Sequence, residues 1–365
     1  MRVPGEHFCM RNISFSSRTT KKVLIIILLL LLVSSLGLMG FLKITYDRSF
    51  PRVDKAQPAY TGYLRYSDVA EYTRREVEFK SGVNILKGYL YGEQNTKGLV
   101  VISHGLGFGS ENYLAEILYF VDKGWCVFAY DNTGTHASEG KSTIGPSQSL
   151  LDLRAALTYI HSISPLNSLN IMLYGHSWGA YAVTAILKYN FTISAVASIA
   201  GFNSAMGLLQ EQASGLLGII SPITYPFLWI QQKILFGDVI DVSATDGINN
   251  TDTPVMIIHG VQDEAVSYYR AGIIAHQNEI NNPNVQYVAS TEENHNGHNN
   301  IPKSDAAIKY IKLLNQEYKK LYESYNKMIP DHLRLKYYED VDRFQVSELD
   351  VGFMGEINSF FEQHL

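Results

Sequence analysis

Apolar runs and helical patterns alternate along most of the chain. Eight segments have the period or apolar character of strands, and they are residues 73–80, 83–91, 98–103, 125–130, 169–174, 193–200, 254–259 and 285–289. Helical patterns follow most of them, at residues 111–123, 147–161, 178–189, 267–277 and 301–326. The first two strands alternate apolar and polar residues, which predicts an antiparallel hairpin. The whole pattern predicts an α/β fold, with a mostly parallel sheet of about eight strands and helices on both faces.

Two segments interrupt this alternation. Residues 204–252 are longer than a crossover between strands requires and are rich in Leu, Ile and Phe, with breaks at Pro222 and Pro226. We predict a helical cap over the site. A lengthened crossover is the alternative, and the many apolar residues leave a membrane-facing role open. Residues 349–365 carry apolar side chains at helical spacing, which predicts a packed helix within a C-terminal helical extension, 327–365.

Residues 23–42 form an uncharged run made mostly of Leu and Ile. A helix of about 20 residues spans the ~30 Å apolar core of a bilayer, so we predict a single-pass signal anchor in the membrane. A cleaved secretory signal is the alternative, but the run is long for one and no small-residue cleavage site follows. Lys21 and Lys22 border the run, which predicts a cytoplasmic segment 1–22 and a main domain outside the cytoplasm.

The remaining segments and the charge balance limit the class of protein. Residues 43–70 show little periodicity and predict a stalk before the main domain, 71–326. Residues 1–60 hold 9 Lys and Arg and 3 Asp and Glu, which leaves 21 basic and 32 acidic residues, net −11, in the rest. Such a domain lacks the basic surface of a nucleic-acid-binding protein. With 2 cysteines, no disulfide framework or cysteine zinc site is expected.

The pentapeptide Gly-His-Ser-Trp-Gly at 175–179 carries the strongest chemical signal. It lies between a predicted strand and a predicted helix, which is the context of a nucleophile elbow. The turn is so tight that side chains at Gly175 and Gly179 would collide with neighbouring backbone. The hydroxyl of Ser177 would then stand exposed at the carboxyl end of a strand. A chance match in an ordinary glycine turn is the alternative.

A serine hydroxyl needs a base, and the base needs an orienting acid. Asp263 follows the strand 254–259, at the edge where open α/β sheets build their sites, and is the predicted acid. A turn or helix-capping role is its alternative. His298 precedes a predicted helix and is the predicted base, with His295 as competitor. The two histidines could also suggest a metal pair, but neither cysteines nor clustered carboxylates support one, and we expect no cofactor.

A tetrahedral intermediate needs two backbone N–H donors. We predict that the amide of Trp178 supplies one and that of Leu106, in the loop 103–107, supplies the other. A plain strand-to-helix turn is the alternative for this loop. His104 and Asp131 are predicted to have structural roles.

In these motifs the chain resembles the α/β-hydrolase superfamily, in its serine aminopeptidase-like and lysophospholipase-like branch. The matching pieces are His104-Gly105, 131–140, 175–179, 259–263 and Gly297-His298, within roughly residues 75–320. Serine, acid and histidine follow one another in the family's order. One departure concerns the loop 131–140, where Thr133 and His136 replace the family's usual arginine and second glycine.

The motifs and the resemblance together predict a membrane-anchored serine hydrolase. It would cleave carboxylic esters with lipid-like or other apolar acyl groups through an acyl-enzyme. A serine aminopeptidase or amidase is one alternative, with Asp238 or Asp241 as a candidate for recognising a free amine. A catalytically inactive binding protein on the same fold is another. A dehalogenase would need aspartate where Ser177 stands.

Overall fold

The computed structural model describes residues 18–365. Their contacts divide the chain into two units, one reaching to Tyr46 and one formed by Asp47–Leu365, and most of the predicted segment 1–22 lies outside the described residues. The first unit consists of helix α1 (Arg18–Ser49), which continues into the start of the second. Its stretch Thr20–Ser49 is long and apolar enough to cross a membrane, as a signal sequence also would be. The helix extends beyond the predicted 23–42 at both ends.

The second unit is built on one eight-stranded sheet. Its strands are β1 (Arg74–Ser81), β2 (Asn84–Tyr91), β3 (Leu99–Ser103), β4 (Cys126–Tyr130), β5 (Ile171–His176), β6 (Ala195–Ile199), β7 (Val255–Gly260) and β8 (Val285–Ser290). Their spatial order is β1-β2-β4-β3-β5-β6-β7-β8. The pairs β1–β2 and β2–β4 are antiparallel and the other five are parallel. All eight predicted strands and the mostly parallel sheet are confirmed.

Ten α-helices follow α1 within the described residues. They are α2 (Leu114–Asp122), α3 (Gln148–His161), α4 (Trp178–Ala185), α5 (Ala205–Leu217), α6 (Tyr225–Phe236), α7 (Ala244–Asn249), α8 (Asp305–Ser324), α9 (Asp331–Glu339), α10 (Arg343–Ser347) and α11 (Val351–Glu362). One apolar core packs the sheet against α3, α4 and α7. The other packs it against α2 and α11. Strong side-chain burial on both faces explains why most strands read as continuous apolar runs.

Helix α11 confirms the packed helix predicted near residues 349–365. Met354, Ile357, Phe360 and Phe361 are buried in the second core. The ring of Phe361 contacts that of Trp125, whose indole N–H donates to Asn358 Oδ1 at 2.8 Å. The C-terminal extension therefore forms part of the core instead of lying outside it.

The structure differs from the predicted stalk 43–70 at its centre. Pro51 and Val53 form isolated bridges with residues of the loop after β4. The guanidinium of Arg52 donates to the carbonyl oxygens of residues 136, 138 and 140 at 2.8–3.0 Å. Residues 51–53 are thus fastened to the domain by contacts that leave no periodic pattern in the sequence.

The helix predicted at residues 267–277 is wrong over its first half. Residues 267–272 form turns, and a short 3₁₀ segment, Ile273–Glu279, follows. The carboxylate of Glu211 accepts from the amides of Ser267 and Ala271 at 2.9 and 3.1 Å. Because a distant side chain takes these amides, the local helical pattern does not decide the backbone path.

Candidate active site

The elbow at residues 175–179 has the predicted geometry. Strand β5 ends at His176 and helix α4 begins at Trp178, so that Ser177 alone forms the turn. Ser177 has φ 55° and ψ −111°, a backbone conformation that non-glycine residues rarely adopt. A Cβ on Gly175 would lie 2.5 Å from the Gly179 oxygen, and one on Gly179 would overlap the Ser103 carbonyl. Both glycines are therefore required by close backbone contact.

Ser177, His298 and Asp263 come together in one hydrogen-bonded line. The Ser177 hydroxyl donates to His298 Nε2 at 2.8 Å. The Nδ1–H of His298 donates to Asp263 Oδ2, also at 2.8 Å. The serine follows β5, the aspartate follows β7 and the histidine follows β8, so all three lie at the carboxyl edge of the sheet. This arrangement can activate a hydroxyl as a nucleophile.

His295, the competitor for the role of base, lies elsewhere in its loop. Its Nε2 is 3.0 Å from Oδ1 of Asp305, a carboxylate that is largely exposed. The backbone of His298, in contrast, is fixed by Glu264, whose Oε2 accepts from the His298 amide at 3.1 Å. The structure therefore brings His298, and not His295, to Ser177.

The carboxylate of Asp263 accepts from four donors. Oδ1 accepts from the amides of Ala265 and Val266 at 2.9 and 2.8 Å, so the predicted turn-forming role holds for this oxygen. Oδ2 lies 2.8 Å from His298 Nδ1 and 3.1 Å from His259 Nε2. Burial alone would raise the pKa of Asp263, but the hydrogen bonds from the two histidines hold it well below its usual range. Asp263 is therefore ionised at neutral pH.

His259 is a site residue that sequence reasoning missed. Its Nε2–H is shared between Asp263 Oδ2 and the carbonyl oxygen of Val266, the latter at 2.9 Å. Its side chain is fully buried. The available signal was its position at the end of β7, four residues before the acid.

His176 and Tyr113 form a second, buried chain that was also missed. The amide of Gly105 donates to the Tyr113 hydroxyl at 3.0 Å, and that hydroxyl donates to His176 Nδ1 at 2.7 Å. The Nε2–H of His176 then donates to the backbone oxygen of His298 at 2.9 Å. Burial, assisted by the neighbouring His298, lowers the pKa of His176 to about 3, so its ring is neutral. The chain joins the loop after β3 to the loop that carries His298.

The two predicted oxyanion donors lie in suitable segments. Trp178 is the first residue of α4, where amides have no acceptor within the helix. Leu106 is half-buried in the loop after β3. His104 holds this loop, because its Nδ1–H donates to the Gly105 oxygen at 2.8 Å and its Nε2 accepts from the Asn132 amide at 3.0 Å. Burial lowers the pKa of His104 to about 4, in keeping with the structural role predicted for it.

In the loop 131–140, Thr133 and His136 stand where the family usually has other residues, and each has a defined place in the structure. The amide and hydroxyl of Thr133 donate to the buried carboxylate of Asp152 at 2.7 and 2.9 Å. His136 has φ 39°, in the left-handed region where a glycine is favoured. Asp131 Oδ1 accepts from the amide and hydroxyl of Ser110, both at 2.8 Å, which confirms its predicted structural role.

The insert 204–252 contains α5, α6 and α7, which confirms the predicted helical insert and not the alternative of a lengthened crossover. Helix α5 starts directly after β6, and Gln212 donates to the Ala265 oxygen at 2.9 Å, so the cap is attached beside the acid loop. Asp238 and Asp241, the candidates for recognising an amine, both pair with Lys233, at 2.8 and 2.7 Å. Over residues 18–365, no cluster of three or more His, Cys, Asp or Glu could hold a metal.

Known proteins resemble this chain in sequence and in fold. The family described as serine aminopeptidase, S33, matches residues 94–241. An esterase from Pyrococcus furiosus superposes with a TM-score of 0.52 at 18% identity, over 77% of this chain and 100% of that one. A second crystal form of it gives 0.51 at 20% identity, over 74% and 95%. No curated protein matches in sequence. The eight-stranded sheet therefore has the fold of an α/β hydrolase, and residues 94–241 match the serine aminopeptidase, S33, family.

Proposed function

We propose that this protein is a serine hydrolase that cleaves carboxylic esters through an acyl-enzyme. The observation that carries the proposal is the line of two 2.8 Å hydrogen bonds from Ser177 through His298 to Asp263. The proposed nucleophile, base and acid come from three segments that meet at one edge of the sheet. The turn that carries the nucleophile depends on the strained backbone of Ser177.

In the proposed reaction, Ser177 Oγ attacks the ester carbonyl carbon while its proton passes to His298 Nε2. The amides of Trp178 and Leu106 would stabilise the negative oxygen of the tetrahedral intermediate. As the carbon–oxygen bond to the alcohol breaks, His298 returns the proton to the leaving oxygen. Water then attacks the acyl carbon while its proton passes to His298, and His298 returns that proton to Ser177 Oγ as the bond to the serine breaks and the carboxylic acid leaves.

The acid has a defined part in this scheme. The carboxylate of Asp263 fixes the Nδ1–H tautomer of His298 and stabilises the cation that forms during attack. His259 acts as a positioning residue, because its Nε2–H holds Oδ2 of Asp263, the oxygen that also accepts from His298. Tyr113 and His176 position the backbone of Gly105 and of His298 relative to each other.

Features of the cap favour an ester with an apolar acyl group. The two cap carboxylates that could recognise a free amine are occupied by Lys233. Helices α5 and α6 consist mostly of apolar residues, which suit a hydrophobic acyl chain. Helix α1 would anchor the enzyme as a single-pass membrane protein, with the second unit outside the cytoplasm, so that lipid-like esters are nearby. The similar fold of an esterase adds support to ester chemistry.

A fluorophosphonate probe tests the proposal directly, since it reacts with an activated serine. The full chain should be labelled, Ser177→Ala should not be, and the exposed Ser168→Ala should be labelled as wild type. Hydrolysis of p-nitrophenyl esters of graded length, compared with aminoacyl anilides, measures chain length and ester preference. A folded wild-type protein that neither reacts with the probe nor hydrolyses any ester would overturn the proposal.

A further inference from the structure

The outer end of the cap exposes an unusual amount of apolar surface. We define the cap tip as residues 213–230, the end of α5, the connecting turn and the start of α6. Nine large apolar side chains are exposed on the tip and the adjoining part of α6, and they are Leu216, Ile219, Ile220, Ile223, Tyr225, Trp229, Ile230, Ile234 and Leu235. Ile219 alone is 97% exposed. No Asp, Glu, Lys or Arg occurs from residue 212 to residue 232.

The exposure extends around α6 instead of facing one side. Within this helix the buried residues are Leu228, Gln232 and Phe236, a stripe one residue wide. The rest of its circumference is open or half-open and mostly apolar. A docked protein or a second copy would cover one face of such a helix. A fluid apolar medium can cover the whole of the exposed circumference of α6.

The hydroxyl groups of the cap tip are satisfied within the cap. Thr224 Oγ1 donates to the Ser221 oxygen at 2.6 Å. Ser214 Oγ lies 2.9 Å from Ser221 Oγ and 2.8 Å from the Gln210 oxygen. Burying this segment in an apolar phase therefore leaves no serine or threonine hydroxyl without a partner, which would otherwise carry a large desolvation cost. Tyr225 and Trp229 have the mixed character that favours the membrane interface.

We propose that the cap tip inserts into the surface of a lipid bilayer. The same chain carries an apolar helix long enough to span a bilayer. That helix would keep the chain at a bilayer, where the apolar cap tip has an apolar phase to enter. Lys233, in the last turn of α6, pairs with Asp238 and Asp241 just after the helix, so charges return to the cap where the exposed apolar segment is ending. The inference rests on the membrane anchoring proposed above and is independent of the ester chemistry.

Site-directed fluorescence in reconstituted full-length protein tests the insertion. In a Cys9→Ser background the remaining Cys126 is buried, so one added cysteine takes an environment-sensitive dye. Ile219→Cys reports on the cap tip, and Val83→Cys, at a 90% exposed site in the β1–β2 turn, is the matched control. The vesicles are phosphatidylcholine with nitroxide groups on the acyl chains. We expect roughly fivefold stronger quenching at position 219 than at position 83.

A charge at the tip provides a second variant. Adding Ile223→Asp to the Ile219→Cys protein should reduce the quenching severalfold, because a carboxylate is costly to place among acyl chains. Thermal unfolding by circular dichroism checks that each variant is folded. Equal quenching at positions 219 and 83 would overturn the proposal. A dye at position 219 whose emission is blue-shifted, is not quenched by lipid nitroxides and changes with the amount of protein per vesicle would also overturn it. In that case a second copy of the protein would cover the tip. None of these signals requires hydrolytic activity.

Discussion

The floor of the site, by which we mean the residues around the Ser177 hydroxyl at the carboxyl edge of the sheet, and the cap tip differ in which groups they bury and which they expose. The floor buries polar side chains, including His176, His259 and Tyr113, and pairs them with one another or with backbone. The cap tip carries apolar side chains and leaves them exposed. Buried hydrogen bonds fix atoms to within tenths of an ångström, which acyl transfer requires. Exposed apolar groups hold no atom in a defined position in the free protein. They suit contact with a medium that itself has no fixed geometry.

The largest effect on the floor should come from Asp263→Asn. The amide cannot stabilise the His298 cation and offers a donor where an acceptor is needed, so kcat should fall by about 10⁴. Asp305→Asn is the matched control, because it alters a His–carboxylate pair away from Ser177, at His295, and should leave kcat within about twofold. Steady-state hydrolysis of a soluble ester measures both. Similar losses in the two variants would contradict the assignment of base and acid.

A smaller effect is expected from Tyr113→Phe. Without the hydroxyl, the Gly105 amide and His176 Nδ1 lose their common partner, and the loop carrying Leu106 loses its fixed position. We expect kcat to fall about tenfold with KM unchanged, since the loss is felt in the transition state. Tyr72→Phe removes a hydroxyl that bonds Asp122 at the surface and serves as control. A fall in melting temperature with unchanged kcat would reduce Tyr113 to a purely structural residue.

The pH dependence of stability tests the buried chain at His176. Its pKa is about 6.5 when unfolded and about 3 when folded, so the unfolded state binds more protons between these values. The contribution of the neutral ring is therefore full above pH ~6.5 and is lost as the pH falls. His176→Gln should make the free energy of unfolding less dependent on pH, by about 1.4 kcal/mol per pH unit between pH ~6 and ~4. Denaturant unfolding in mild detergent at several pH values measures this, and parallel slopes would contradict it.

The smallest effect is expected from polar substitutions at the cap tip. Ile219→Ser and Ile223→Ser remove little packing, so the free energy of unfolding should change by less than about 0.5 kcal/mol and hydrolysis of a soluble ester should not change. Leu228→Ala, in the buried stripe of α6, is the contrast and should cost about 2–5 kcal/mol. Chemical unfolding of the detergent-solubilised chain compares the three. A large loss at Ile219 would mean that the tip packs against the protein itself.

The sequence predicts the sheet well because each strand carries its own signal. Buried parallel strands are apolar throughout, and the glycines of the elbow are demanded by contacts within a few residues. Ser177, Asp263 and His298 could be found for the same reason, since each follows a recognisable strand or precedes a helix.

The rest depends on neighbours that are distant in sequence. His259 is linked to the base only through Asp263 Oδ2, which accepts from His298 across 35 residues, and Tyr113 meets His176 across 63 residues. The failed helix at 267–277 has the same origin, because Glu211 on the cap takes two of its amides. Local periodicity contains no information about such partners.

Helix α11 is synthesised after the strands that it covers, so the order of synthesis decides when this part of the core can form. Trp125 contacts Asn358 and Phe361 of this helix, and 233 residues separate Trp125 from Asn358. At about 5–20 residues per second, the ribosome needs roughly 10–50 s to cover that distance. During this time the β3–β4 side of the sheet carries an uncovered aromatic patch around Phe120 and Trp125. The nascent domain therefore exposes this patch until α11 has emerged, and a nonsense mutation between Trp125 and this helix leaves the patch permanently open.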